Sequence, residues 1–600
     1  MNVIPTFQDA LAHHQQGRLA DAERIYAAML RADPDHFDAL HMLGVIRYQQ
    51  GSPAEAVALI SAALAQNPNA TSALSNCGLA LHAVNRVADA LPLYERALAI
   101  DANHANSLTN YSHALLDLKR YSEALAFAKR AAACNPGDVN AWNNLGCALH
   151  NLGRNPEALF ALDKALACNP DHIDTQFNRA NVLRALERLD ETVAAYEQVL
   201  SLQPQHLRAL NNFGNLLVEL ERCETALALF DRAVALAPRD AMTLNNRGIA
   251  LQALNRPLEA IACYERALAI EPQHADASYN EGFARLTLGD LRNGWPKYEF
   301  RFDKIQPSPP RRGFPQPTWR GESFGGRKLL LHAEQGIGDT LQFVRYVPLI
   351  ANTDGEVILE VQRDLTALLS QIKGVSRLAI RDEPLPEFDI QCPLLSLPLI
   401  FRTELDTIPA KIPYIEVPED RIKKWKHRLP PRKDMRVGVA WAGNPQFKAD
   451  RGRSIGLARF APLLSQAGVQ FVSLHREVRA EHAGILQSLP QLIHFGEELE
   501  DFADTAAVIS QLDLVISSDT SIVHLAGAMG VPVWILLKFS ADWRWMLGSE
   551  NSPWYPTAKL YRQPKLGDWE SVIERVREDL SRWAEARIAT PSIADHDRKG

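Results

Sequence analysis

The apolar positions follow one pattern in the first half of the chain and another in the second. Up to about residue 290 they mark paired helices that return every 34 residues. From residue 327 short β-rich runs alternate with helical stretches: Lys328–His332, Glu356–Val361, Phe388–Cys392, Arg436–Ala442, Gln470–Leu474, Leu514–Ser517 and Val533–Leu537. That alternation predicts parallel sheets with helical crossovers. The sharpest stretch is Leu512–Gly530. The apolar run Leu514–Ile516 predicts a strand, the cap-type residues Asp519, Thr520 and Ser521 start a helix, and Gly530 and Pro532 end it before Val533–Leu537. The helix is apolar all round apart from His524, so burial between two parallel strands is expected.

Three columns define the first half. Prolines 34, 68, 136, 170, 204, 238 and 272 are spaced by 34 residues or twice that, with Ala102 in the missing slot. Gly44, Gly78, Gly146, Gly214, Gly248 and Gly282 form a second column, with Ser112 and Ala180 in its gaps. Ala22, Ala56, Ala90, Ala124, Ala158, Ala226 and Ala260 form a third. Small residues let paired helices approach closely, and proline punctuates the chain where no helix N–H is needed. The array resembles the tetratricopeptide repeat family, which implies an α-solenoid of eight to nine repeats over residues 3–300, with a concave face. Gly294 and Pro296 are expected to interrupt the last second helix.

A fourth column is Asn76, Asn110, Asn144, Asn178, Asn212, Asn246 and Asn280, again 34 apart. Asparagine is a poor helix former, so the column asks for a reason. Each carboxamide offers a donor and an acceptor, which matches a peptide unit. The column is similar to the asparagine ladder in the repeats of the protein O-GlcNAc transferase family, and this implies a protein or peptide bound along the groove. Bonds to the neighbouring repeat are the other reading of the same column.

Residues 301–326 are rich in Pro, Gly and Arg and read as a linker. The rest divides into a half over 327–430, a charged break at Lys424–Asp434, a half over 431–586, and a tail from 587 expected to lack structure. The first half opens with a strand into Gly336-Ile-Gly338-Asp339, with a helix expected from Thr340. Gly338-Asp339-Thr340-Leu341 resembles the Gly-Asp-x-Leu turn of the ADP-heptose:lipopolysaccharide heptosyltransferase family. Asp519-Thr520-Ser521-Ile522-Val523-His524-Leu525 resembles that family's Asp-Thr-Gly-x-x-His-Leu signature, with Ser521 in place of glycine. The resemblance implies a GT-B glycosyltransferase of two Rossmann-like domains facing a cleft, with Asp339 as catalytic base. It also implies a nucleotide-diphosphate sugar as donor substrate, with no further cofactor.

The chemistry asked of such a site is a base for the acceptor hydroxyl and stabilisation of the departing diphosphate. Asp339 and His524 are the catalytic candidates. Gly338, Gly443, Asn444, Lys448, Arg453, Asp519, Thr520 and Ser521 are the donor-binding ones. They lie on the turns after the first strand of each half and on the turn before His524. Asp339 and Asp519 serve equally as helix caps, and the loop Trp441–Ser454 also reads as a solvated basic loop. Leu474-His475-Arg476-Glu477 is a further candidate for contact with base or ribose. Asp542-Trp543-Arg544-Trp545 and Ser552-Pro553-Trp554-Tyr555 mark an aromatic loop suited to stacking or to packing.

Composition narrows the picture. The net charge is −7, so bulk electrostatics gives no reason to expect nucleic acid. Seven cysteines stand singly and no metal-ligand spacing appears, which suits a reduced cytoplasm and metal-independent transfer, and the glycosyltransferase reading carries the expectation of inversion. No signal peptide and no membrane-length apolar run is seen. The expectation is therefore a transferase whose acceptor is presented by the repeats. A glycan or lipid-linked acceptor, and a scaffold that binds a nucleotide-sugar without turnover, stay open.

Overall fold

The computed structural model describes residues 6–304, 311–350, 355–432, 434–443 and 452–589. The chain forms two compact units, one up to Phe213 and one from Gly214 onward. Asn444, Lys448 and Arg451 lie outside the described residues, as do Pro307, Pro309 and Pro310.

The first unit is built of helix pairs, from Phe7–Gln15 with Leu19–Ala32 through Ile173–Ala185 with Leu189–Leu202. The small-residue columns do the expected work. A Cβ at Gly44, Gly78 or Gly146 would come within 2.5–2.6 Å of Ile60, Tyr94 or Leu162, each sixteen residues on. Ala22, Ala56, Ala90, Ala124 and Ala158 are fully buried, and Thr192 fills the next slot equally buried. The prolines sit in the turns between repeats, two residues past the ends of the second helices Leu19–Ala32, Pro53–Gln66 and Tyr121–Cys134.

The second unit begins with the last helices of the array and continues into an α/β region. The final helix of the array is Leu291–Tyr298. It runs through Gly294 and Pro296, contrary to the expected interruption, because Gly294 packs its bare backbone on Leu286 and Trp295 and Tyr298 are buried. Pro296 falls in a helix of eight residues, shorter than the fourteen of Pro257–Ile270.

Ten strands follow. The first sheet holds β1 (Lys328–His332), β2 (Glu356–Val361), β3 (Arg377–Ile380) and β4 (Ile390–Pro393), all parallel, in the order β3-β2-β1-β4. The second holds β5 (Met435–Ala440), β6 (Val469–Ser473), β7 (Leu492–His494), β8 (Leu514–Ser518), β9 (Val533–Leu537) and β10 (Ala558–Arg562). Its order is β10-β9-β8-β5-β6-β7, again parallel. The charged break is not a loop throughout. Glu419–Arg428 is a helix fastened to the helix Phe502–Ile509 by the Trp425 indole, which donates to Asp504 at 2.8 Å. The last described element is a helix over Trp569–Ala589, which passes the expected limit at 586; residues 590–600 lie outside the described ones. No helix among the described residues is long and apolar enough to cross a membrane.

In open parallel sheets, ligands gather where the strand order reverses, beyond the carboxyl ends. The reversals here lie between β1 and β4 and between β5 and β8. The turns after β1, β5 and β8 are the ones that carry the candidate residues.

Candidate functional site

Gly336 caps the helix Ile337–Phe343, which therefore starts three residues earlier than expected. Asp339 sits inside its first turn, where Oδ2 accepts the Gly336 N–H at 2.9 Å. Across from it stands the helix Ser521–Ala528. Its cap is Thr520, whose hydroxyl accepts the Ile522 N–H at 3.4 Å; Asp519 is not the cap. The two helices meet closely. A Cβ at Gly338 would lie 2.8 Å from Cδ2 of His524 and 3.5 Å from Cα of Ser521. Turns some 180 residues apart in sequence thus form one feature, with Gly338, Asp339, Asp519, Thr520, Ser521 and His524 in it.

Its charge is organised by a residue that the sequence reading left in the aromatic loop. Arg544 donates to Oδ1 of Asp339 at 2.5 Å, to Oδ1 of Asp542 at 2.8 Å and, through Nε, to Gln342 at 2.6 Å. Arg453 is near enough for its charge to lower the proton affinity of Asp339, Asp519 and His524 alike. Burial raises the Asp339 pKa, and the Arg544 charge opposes it. Burial, reinforced by Asp542, pushes Asp519 up to about 6, while the Arg453 charge pulls it back. His524 is held well below its usual range, first by burial and then by Arg544, so it is a neutral imidazole. Its Nδ1 lies 2.9 Å from the Tyr555 hydroxyl, and its ring stacks on Trp545 at 5.5 Å. Two buried polar atoms beside these groups, Nε2 of Gln342 and Oγ of Ser518, have no partner among the described residues.

The loop after β5 is tied at its ends. The Gly443 N–H donates to Ser454 Oγ at 3.0 Å, and Arg479 bridges Gly443 O and Ser454 Oγ at 3.0 and 3.1 Å. His475 props the same loop: its Nε2 accepts the Trp441 N–H at 3.1 Å and its ring lies 4.1 Å from that indole. Burial pushes it down to about 3, so it stands in the loop as a neutral imidazole. A recess of about 480 Å³ at the opposite, amino-terminal edge of the first sheet, lined by Lys328, Glu356 and Arg377, holds none of the candidate residues.

The asparagine column has a different geometry from a clamp. In six of the seven members the side-chain amide reaches back into the preceding repeat. Asn76 meets His41 at 3.0 Å, Asn110 Ser75 at 3.3 Å, and Asn144 both Thr109 O and Ser112 at 3.1 Å. Asn178 donates to Asn143 at 2.9 Å, Asn212 to Asn181 at 3.0 Å and Asn280 to Asn245 at 2.9 Å. Asn246 is buried. The column therefore joins repeat to repeat, and in Asn144 both amide hydrogens are used.

Tetratricopeptide repeat profiles match residues 7–71, 41–105, 81–148, 139–172, 171–239 and 241–274. The first half is thus a tetratricopeptide array, and such repeats serve as protein- or peptide-binding modules. The chain is 29% identical over 330 residues to Protein FlbA of Caulobacter vibrioides, an overlap of 50% of this chain and 55% of that one. It spans about half the length of the curated relative it matches. Among solved structures it is similar to a thermophilic TPR protein in Thermus thermophilus, at 26% identity over 31% of this chain and 100% of that one, with a TM-score of 0.27. It is also similar to YrrB, a TPR protein with an unusual peptide-binding site, at 21% identity over 31% and 95%, with a TM-score of 0.27.

Proposed function

We propose that the α/β half is a glycosyltransferase of GT-B arrangement, which moves a sugar from a nucleotide-diphosphate sugar to an acceptor hydroxyl with inversion. The observation that carries this reading is the meeting of the Gly338-Asp339 turn with the Thr520-Ser521 helix start, at the reversal points of two parallel sheets. The acceptor oxygen attacks the anomeric carbon, the bond from that carbon to the diphosphate oxygen breaks, and the diphosphate leaves with the electron pair. Asp339 takes the acceptor proton. Its oxygens already accept from Gly336 and Arg544, yet a carboxylate has about four lone-pair sites, which leaves room for a hydroxyl. The leaving charge falls to the dipole of the helix at Ser521 and to Arg453 and Arg544, so no metal is needed in this scheme. Gln342 Nε2 and Ser518 Oγ are buried donors suited to ligand oxygens.

The acceptor in this reading is a protein or peptide brought by the repeats. Its support is the binding habit of such arrays rather than the asparagine column, whose amides are engaged between repeats. The ion pair holding Asp339 favours a second reading, a scaffold that binds the donor without turnover. A thermal-shift panel of nucleotide-diphosphate sugars tests both, because a ligand that binds only the folded state raises its stability. A shift with one donor, followed by hydrolysis or transfer that Asp339→Asn abolishes, supports the enzyme. A shift without turnover on any acceptor supports the scaffold, and no shift with any donor sinks both.

A further inference from the structure

The first unit carries a side-chain cluster that owes nothing to the proposed transferase site. His82 lies in the last turns of the helix Thr71–Ala83. His113 and Asp117 lie on the first helix of the next repeat, Ala105–Asp117, four residues apart and so on one face. His82 Nε2 is 2.7 Å from Asp117 Oδ2, and the two imidazole centroids are 4.8 Å apart. One donor atom from each of the three residues falls within 4.8 Å of the others.

The repeat itself does not ask for these residues. One repeat before and after His82 stand Tyr48 and Leu116; around His113, Leu79 and Cys147; around Asp117, Ala83 and Asn151. Packing of the array is served by very different side chains at these positions. An ion pair accounts for two of the three, and it leaves the second imidazole beside them unexplained.

The geometry points to a site for a divalent transition-metal ion of the zinc class, held by His82, His113 and Asp117 between two consecutive repeats. Zinc–nitrogen and zinc–oxygen bonds of about 2.0–2.2 Å put tetrahedral ligands about 3.3 Å apart, inside the 4.8 Å that spans the three ligand atoms here. Small rotations of the exposed His113 and Asp117 side chains about the half-buried His82 close the difference. Two imidazoles and one carboxylate suit zinc, cobalt or nickel rather than calcium or magnesium. The metal takes the place of the proton shared by His82 and Asp117, and no backbone movement is required. Three protein ligands leave a fourth position open to water, in the manner of open zinc sites. The sequence reading expected no metal because the ligands come from two repeats, 31 and 35 residues apart, and no local spacing announces them.

The test uses the full chain, freed of metal with a chelator and titrated with Zn²⁺ alone in a calorimeter, with Co²⁺ absorption as a geometric readout. One equivalent is expected to bind, with a tetrahedral Co²⁺ spectrum and a melting temperature raised by a few degrees. His113→Asn and Asp117→Asn are surface changes that should leave the metal-free melting temperature in place and weaken binding about ten-fold or more. The absence of stoichiometric binding overturns the proposal. So does Zn²⁺ binding that is unchanged in His113→Asn, because the ion then sits on other histidines.

Discussion

On Arg544 one guanidinium serves Asp339, Asp542 and Gln342, and it is itself buried. Planar fork geometry lets it do so, and lysine lacks that fork. Arg544→Met leaves the Asp339 carboxylate without its counter-charge in a site where burial already raises its pKa. The expected cost is about 3 kcal/mol, measured by urea unfolding. Arg544→Lys should recover part of that stability but not the donor-induced thermal shift. Asp519 supplies a prediction of the opposite sign. Burial lifts its carboxyl to about 6, against an ordinary ~3.9. Between those values the folded chain holds more protons than the unfolded one, so stability falls as pH rises through this window, and the loss is complete above it. Asp519→Asn removes the titration. Its advantage over the parent should be small near the low end and reach about 1–3 kcal/mol at neutral pH. Denaturation curves at both ends of the window check this, and a gain that instead grows towards acid would exclude the burial account.

Among the elements, close helix crossings make the columns of small residues testable. A Cβ at Gly78 would meet the buried Tyr94 ring at 2.6 Å. Gly78→Ala gains about 1 kcal/mol of helix propensity. It should nonetheless be destabilising overall, since overpacking costs about 1–3 kcal/mol and the ring has nowhere to go. Gly338→Ala applies the same clash to the candidate site. It should abolish the donor-induced shift while the melting temperature moves only a few degrees. The two turns that meet there were legible in the sequence because each follows a strand-like apolar run and carries cap-type residues. Three strands were not: β3, β7 and β10. All three are edge strands, where a half-exposed ladder tolerates polar residues such as Arg377, His494 and Lys559 and blurs the apolar run. Arg544 was illegible as a centre of charge for another reason. It acts on Asp339 and Gln342, more than 200 residues away, and no local pattern records that meeting.

At the scale of the molecule, the boundary between compact units falls at Phe213/Gly214, inside the helix Leu207–Glu219, so the last repeats belong to the α/β unit. The contacts explain this. Asn255 donates to Phe539 O at 2.7 Å, Ser540 donates to Gln252 O at 3.1 Å, and Leu547 N donates to Thr287 O at 3.3 Å. The loop that carries Asp542 and Arg544 is thereby held on the array. Trp295 packs edge-on against Trp543 at 5.2 Å and Trp554 at 6.4 Å, and it donates to Thr403 O at 3.0 Å. Arg301 extends the seam with a fully buried pair to Glu334, just after β1, at 2.8 Å. A division at residue 300, as the repeat pattern alone suggests, therefore cuts through a core. Fragment 301–600 loses Trp295, Tyr298 and the partners of the loop, and it bares a large apolar surface. It is expected to bind a hydrophobic dye and to unfold without a sharp transition. Fragment 205–600 keeps the last repeats and should melt cooperatively. Trp295→Ala in the full chain should cost about 3–5 kcal/mol, as large-to-small changes at a buried indole do. A sharp transition of fragment 301–600 at the temperature of the α/β unit in the full chain would mean that the Arg544 loop holds its shape unaided, and the repeats would then have no part in positioning the site.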